Sequence, residues 1–250
     1  MSIALGIIPA RWGSTRFPGK PLHLIAGKPL LRHVWERSRR ARSLDSVIIA
    51  TDDMRIAEAA FSWGAEVSLT SASHHSGTDR IAEVAAKAKG FSYIINIQGD
   101  EPLIDPRLID RLVRELKKDR NLEMVTVAHP FGNPAEAASP HQVKVVLDRQ
   151  NDVICFSRAL PSEAKYFRHQ GIYGYTRDLL LRFVEWKPTP LERAESLEQL
   201  RALENGVRIQ VVVTASGSPG VDTPEDAEAI EGKLLSARRR AARKKRSSNR

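Results

Sequence analysis

IIPARWGSTRFPGKPL, residues 7–22, is the stretch from which the fold is read. It extends an apolar run, Ile3-Ala4-Leu5-Gly6-Ile7-Ile8, which then breaks into a loop holding Pro9, Gly13, Pro18, Gly19 and Pro21. Arg11, Arg16 and Lys20 are spaced through that loop. A buried strand opening into a basic, small-residue loop suits phosphate. Glycine lets backbone N–H groups approach an anion, and the cations neutralise it. A surface turn with solvated charges would use the same residues, so the rest of the chain must decide.

Outward from that loop, strand and helix patterns alternate. A helix is expected over 29–42, a strand over Ser46–Thr51 ending in Asp52-Asp53, a helix over Arg55–Trp63 and a short strand over Glu66–Thr70. Next come a helix over Thr78–Lys89 with Thr78 as N-cap, a strand over Phe91–Ile97 ending in Gln98-Gly99-Asp100-Glu101-Pro102, a helix over Pro106–Lys118 and a strand over Glu123–Ala128. The expected fold is α/β: a mostly parallel, Rossmann-like sheet covered by helices on both faces. Ligands of such sheets bind beyond the carboxyl ends of the strands. The 10–20 loop, Asp52-Asp53 and Asp100-Glu101 all fall there.

From about 140 to 175 the pattern turns antiparallel. Val143–Asp148 and Asp152–Ser157 read as a hairpin and Gly171–Tyr175 as a further strand, together a smaller extension or arm. Helices are expected over Arg177–Trp186 and Leu191–Glu204, a strand over Val207–Val213, and a helix start at Thr223-Pro224-Glu225-Asp226.

The chain has 250 residues, 42% hydrophobic and 28% charged, which suits a single soluble α/β domain over 1–235. No apolar run reaches membrane-span length, and the N-terminus does not read as a signal peptide. Cys155 is the sole cysteine, so no intrachain disulfide forms and a reducing cytoplasm is expected. The net charge is +9, but residues 236–250 carry eight basic and no acidic residues, leaving 9 − 8 = +1 on the body. The tail reads as a disordered, solvated end, and no specific nucleic acid is expected.

Some residues carry candidate chemistry. Asp100 and Asp222 each follow an apolar stretch beside a glycine, where carboxylates can ligate Mg²⁺ against phosphate. Asp100 could equally cap the next helix, and Asp222 could be only an N-cap neighbour. Arg80, in a helix first turn, opposes the dipole; it has either a specific task or a salt bridge to Asp79 or Glu83. His74-His75 lack a third ligand at metal spacing and read as loop residues. His169 and Tyr173 share one strand face. Arg158, Glu198 and Gln199 are unremarkable alone.

Assembled, IIPARWGSTRFPGKPL, IIATDD, SGTDRIAE, INIQGDEPLI, VKVVLD, FSRA, RHQGIYGY, LEQLRALENG and GVDTPEDAE resemble, in order, the 3-deoxy-manno-octulosonate cytidylyltransferase family. The resemblance implies a homodimeric nucleotidyltransferase. It would move CMP from CTP to the anomeric 2-hydroxyl of the acid sugar Kdo, release pyrophosphate and need Mg²⁺. It implies that Ala10, Arg11, Gly13, Ser14, Lys20, Arg80 and Gln98 bind the nucleotide. Arg158, His169, Tyr173, Glu198 and Gln199 would face the sugar, and Asp100 and Asp222 would ligate the metal. Arg11, Lys20, Asp100 and Asp222 would carry catalysis. A metal on Asp100 could also lower the pKa of the sugar hydroxyl, so that no histidine base is needed. The ten residues 159–168 are shorter than in many family members, which leaves a related acid sugar such as 8-amino-Kdo as the alternative. A dinucleotide oxidoreductase is disfavoured, since no GxGxxG follows the first strand.

Overall fold

The computed structural model describes residues 3–13, 17–161 and 165–247, with side chains as far as residue 237. The first half alternates as expected: β1 (Ala4–Ala10), a small hairpin of β2 (Leu24–Ile25) and β3 (Lys28–Pro29), α1 (Leu30–Ser38), β4 (Ser46–Thr51), α2 (Met54–Ser62), β5 (Glu66–Leu69), α3 (Gly77–Lys87), β6 (Tyr93–Asn96), α4 (Pro106–Lys118) and β7 (Met124–His129). The second half holds α5 (Pro134–Ala138), β8 (Lys144–Leu147), β9 (Val153–Ser157), β10 (Tyr166–Thr176), α6 (Arg177–Glu185), α7 (Pro190–Glu195), α8 (Leu200–Glu204), β11 (Ile209–Val213) and α9 (Pro224–Ser247).

The main sheet runs β11-β7-β10-β6-β1-β4-β5. β1 pairs in parallel with both β4 and β6, and β11 pairs in parallel with β7. Strands buried on both faces read as continuous apolar runs, and β1 follows the rule. Leu5 and Ile7 pack with the α3 and α6 residues Ile81, Val84, Leu179 and Phe183. Ile8 and Ala10 pack on the other face with Leu31, Val34, Ile109 and Leu112. α4 shows why its bounds match the sequence reading: Asp105 caps it by accepting from the Arg107 N–H, Pro106 opens it, and Leu108, Ile109, Leu112, Val113 and Leu116 form its buried stripe.

Five expectations are corrected. The Gly171–Tyr175 stretch is not part of a separate arm. It is the second half of β10, which runs antiparallel between β6 and β7 at the middle of the main sheet. Only the β8–β9 hairpin and the first half of β10 form the antiparallel extension. The cap of α3 is Ser76, not Thr78. Its side chain accepts from the Asp79 N–H while the Asp79 carboxylate accepts from the Ser76 N–H.

The helix expected over Leu191–Glu204 is broken into α7 and α8. Ser196 adopts a left-handed φ of 52° between them, so Glu198 and Gln199 lie in the break. Arg80 pairs with neither Asp79 nor Glu83, but with Asp52. Finally, α9 stays helical through the supposed tail to Ser247, since Ala, Arg and Lys propagate a helix once it is nucleated on the body. Among the described residues no helix is long and apolar enough to cross a membrane.

Candidate active site

β1 and β6 end side by side, and the loops after them form one wall of a cleft of about 320 Å³. Ala10, Arg11, Lys20, Arg80, Gln98, Asp100 and Asp222 line it, as do His74, His75 and Ser76. Of the residues expected at the nucleotide, Gly13 is exposed and outside this lining. Ser14, and the unassigned Arg16, lie outside the described residues.

Lys20 is the hub of the cleft. Its Nζ donates to Asp100 Oδ2 at 2.9 Å, to the Val221 carbonyl at 2.8 Å and to Asp222 Oδ1 at 3.4 Å. These partners are 80 and 202 residues away, so packing must bring them together. Phe17, Ile25 and Leu30, flanking the basic loop, form a small core with Val221, Ala227 and Ile230 at the start of α9. The Val221 N–H donates to the Asp100 carbonyl at 2.9 Å, which joins the two aspartate-bearing turns directly. Gly19 holds a left-handed φ of 69° where the loop folds over Trp12, and Arg55 lies 3.7 Å from that indole ring centre. Gly99 is needed for close approach: a Cβ there would sit 2.9 Å from the Pro9 carbonyl oxygen.

Two carboxylates and a main-chain carbonyl around one cation form a hard oxygen set. It fits Mg²⁺, which takes one or two protein carboxylates and completes its shell with water and phosphate. Among the described residues no three His, Cys, Asp or Glu side chains converge as a self-sufficient metal cage. An ion at Asp100 and Asp222 would therefore need further ligands from substrate or solvent.

Arg80 is buried beneath the cleft, 3.2 Å from Asp52 Oδ1 and donating to Thr70 Oγ1 at 2.5 Å. Asp52 thus holds Arg80 from behind the cleft, while Asp53 caps α2 and pairs with Arg55. Glu83 accepts from Lys87, the Ser71 N–H and His74, and these contacts hold its carboxyl down at about 2. They also fix the His74-His75 loop against α3.

Of the residues expected at the sugar, Glu198 meets the Ser76–Thr78 turn. Thr78 Oγ1 donates to Glu198 Oε2 at 2.5 Å, and burial raises the Glu198 carboxyl above its ordinary value. Gln199 is buried beside it in the chain. The α7–α8 break is held from inside by Arg201, which donates to both Glu192 oxygens at 2.8 and 2.5 Å. Arg158 is already engaged: its guanidinium donates to the carbonyls of Glu195, Ser196 and Pro140 at 2.8, 3.3 and 3.2 Å. It braces the break, and fully buried Lys144, donating to the Ser139 and Arg158 carbonyls, braces it in turn.

His169 lies between the rings of Phe156 and Tyr173, at 5.0 and 5.4 Å. Its Nε2 is 3.0 Å from Thr126 Oγ1, whose own proton goes to the Ile172 carbonyl at 2.9 Å. The hydroxyl therefore accepts, Nε2 carries the imidazole proton, and Nδ1 is the acceptor. Burial lowers the imidazole to about 3 and raises the Tyr173 phenol, so both are neutral.

The sign of the resulting pH effect is fixed. An unfolded histidine titrates near 6.5, so the unfolded chain takes up the proton first as pH falls. The contribution of His169 to stability is complete above about pH 6.5 and is lost progressively from there towards about 3. Urea unfolding between pH 7.5 and 4.5 should show wild type losing more stability than His169→Gln. One proton limits the excess to ~1.4 kcal/mol per pH unit, and the partial exposure of His169 brings it below that. Parallel pH profiles would contradict the assignment.

Gln170 is a site residue that the sequence does not mark, and Glu101 is marked there only as part of the Asp100-Glu101 segment, with no role of its own. Glu101 is buried beside Asp100 and accepts from Gln170 Nε2 at 2.5 Å, with burial pushing its carboxyl up to about 8. Its signal was available: an acid directly following Asp100 and preceding Pro102 cannot simply share the exposure of its neighbour.

Comparison with known proteins is consistent with this geometry. Residues 5–209 match the cytidylyltransferase family profile. A 3-deoxy-manno-octulosonate cytidylyltransferase of Solibacter usitatus is 52% identical over 233 residues, covering 90% of this chain and 92% of the relative. The protein of the same name from Geobacter metallireducens is 48% identical over 245 residues, covering 91% and 96%. A solved CMP:2-keto-3-deoxy-manno-octonic acid synthetase complexed with CTP superposes with a TM-score of 0.91 at 40% identity, covering 94% of this chain and all of that one. A 4-diphosphocytidyl-2C-methyl-D-erythritol synthase from Anaerococcus prevotii shares the fold, with a TM-score of 0.64 at 14% identity.

Proposed function

Because the chain belongs to the 3-deoxy-manno-octulosonate cytidylyltransferase family, we propose that it transfers CMP from CTP to the anomeric 2-hydroxyl of Kdo, making CMP-Kdo, the activated sugar for lipopolysaccharide, and pyrophosphate. The observation that carries this reading is the meeting of Arg11, Lys20, Asp100 and Asp222 in one cleft, one turn away from Glu198.

The substrates are a triphosphate and a sugar carboxylate, so like charge must be neutralised before they can meet. Arg11 and Lys20 do this on the triphosphate side. Gln98 donates its amide N–H to the Gly171 carbonyl at 2.7 Å, which turns its oxygen towards the nucleotide as an acceptor. Arg80, tied to Asp52, shapes the nucleotide wall rather than moving with the ligand. Neutral His169 offers Nδ1, and Tyr173, Glu198 and Gln199 offer a hydroxyl, a carboxyl and an amide to the sugar. Arg158 supports that side through the backbone. Held in line, the sugar 2-oxygen forms its bond to the α-phosphorus as the bond to pyrophosphate breaks, and the hydroxyl proton leaves for solvent. Mg²⁺ held by Asp100 and Asp222 would neutralise phosphate charge and lower the pKa of a bound hydroxyl.

We read the protein as a cytoplasmic homodimer with the β8–β9 hairpin as the arm. In support, β9 ladders only with β8 among the described strands, Ile154 is exposed on it, and Leu160 is exposed just beyond its end. The test is pyrophosphate release with CTP, UTP, ATP and GTP, each against Kdo, 8-amino-Kdo and a nonulosonate. Release should require CTP, Kdo and Mg²⁺ together; equal turnover of all four nucleotides would remove the cytidylyl assignment.

A further inference from the structure

Gln170 occupies the point of β10 where its register against β7 shifts, with His169 on one side and Gly171 on the other. Its side chain is buried and joins two loops that both lead to the cleft. Nε2 donates to Glu101 Oε2 at 2.5 Å, one residue after Asp100. Oε1 accepts from the Ser218 N–H at 3.5 Å, the long end of a hydrogen bond, four residues before Asp222. The Ser218 N–H needs an acceptor, which fixes Oε1 on that side and turns Nε2 to Glu101.

The contacts close a ring. From Gln170 the path runs to Glu101, along the chain to Asp100, across from its carbonyl to the Val221 N–H, back to Ser218 and so to Gln170. A second tie runs parallel to it, from Gln98 to the Gly171 carbonyl. The carboxylates of Asp100 and Asp222 therefore stand on a frame fastened to the strand that carries His169 and Tyr173. Nothing else in the described site links all three segments through one side chain.

We propose that Gln170 and Glu101 are positioning residues, which set the spacing of the Asp100 and Asp222 carboxylates and hold that pair in register with the sugar strand. The inference rests on the reading of Asp100 and Asp222 as metal ligands. Neither positioning residue reaches substrate; each acts through the backbone it fixes. Outer contacts of this kind orient ligands whose own geometry is otherwise loose.

The test is Mn²⁺ affinity, by electron paramagnetic resonance, of the full-length protein with saturating CTP and no sugar, with the signal of CTP alone subtracted. Gln170→Asn, one methylene too short to reach both partners, and Glu101→Leu should each weaken Mn²⁺ binding by ~10-fold and lower kcat comparably, with KM for CTP unchanged. Glu101→Gln keeps a carbonyl acceptor for Gln170 and should match wild type in both. Circular dichroism melts identify folded variants, and variants at two positions keep the test open if one does not fold. Wild-type Mn²⁺ affinity in folded Gln170→Asn would overturn the proposal, as would a Glu101→Gln defect equal to that of Glu101→Leu. If Asp100→Asn and Asp222→Asn abolish binding while Gln170→Asn does not, only the positioning role falls. If wild type binds no Mn²⁺ beyond CTP, the metal reading falls and takes this inference with it.

Discussion

Asp100→Asn is expected to lower Kdo-dependent pyrophosphate release by at least ~10²-fold, the scale for losing one preorganised electrostatic contact at a reacting phosphate. The fold should survive. The amide oxygen can still accept from Lys20, and the Asp100 main chain keeps its bond from Val221. CTP binding should largely persist, because Arg11 and Lys20 remain. A variant that releases pyrophosphate at near wild-type rate would take Asp100 out of the mechanism. Steady-state kinetics in kcat and KM separate these outcomes: loss in kcat alone marks an interaction made mainly in the transition state.

Lys20→Met should cost as much and fail differently. Lys20 is mostly buried and is the cation between two carboxylates, so its removal leaves Asp100 and Asp222 facing each other without it. Like charges at close range disfavour the doubly ionised state, so the resting site should depend more strongly on divalent cation. On the substrate side the triphosphate loses an enclosed positive partner. The expected result is a kcat/KM lower by ~10²–10³-fold, with a raised KM for CTP that Asp100→Asn does not share. Calorimetry with CTP and no sugar checks it; unchanged CTP affinity would contradict the role given to Lys20.

Much of this was legible in the sequence, and the parts that were not share a cause. α4 was readable to the residue because cap, proline and apolar stripe are all local. β4 matches to the residue as well, while β1 and β6 are legible as strands whose ends lie one or two residues from the expected ones. The place of β10 was not local. Alternating Gly and Tyr marks a strand, but not that its neighbours are β6 and β7 rather than an arm. The break at Ser196 was hidden because Leu197, Leu200 and Leu203 keep a helical period across it, while a left-handed serine has no signature of its own. Arg80 finds Asp52 and Gln170 finds Glu101 across long stretches of chain, and such pairs follow from topology rather than spacing. The helical course of α9 to Ser247 is masked by its charge density, which marks solvent exposure, while its Ala, Arg and Lys residues favour helix.

One reaction in one cleft is expected of this chain. Phosphorus NMR of CTP incubated with Kdo, Mg²⁺ and the protein observes it directly. The predicted result is a phosphodiester resonance of the CMP-sugar appearing together with pyrophosphate, and neither without Kdo. Pyrophosphate accompanied by free CMP, or formed at the same rate without the sugar, would contradict it.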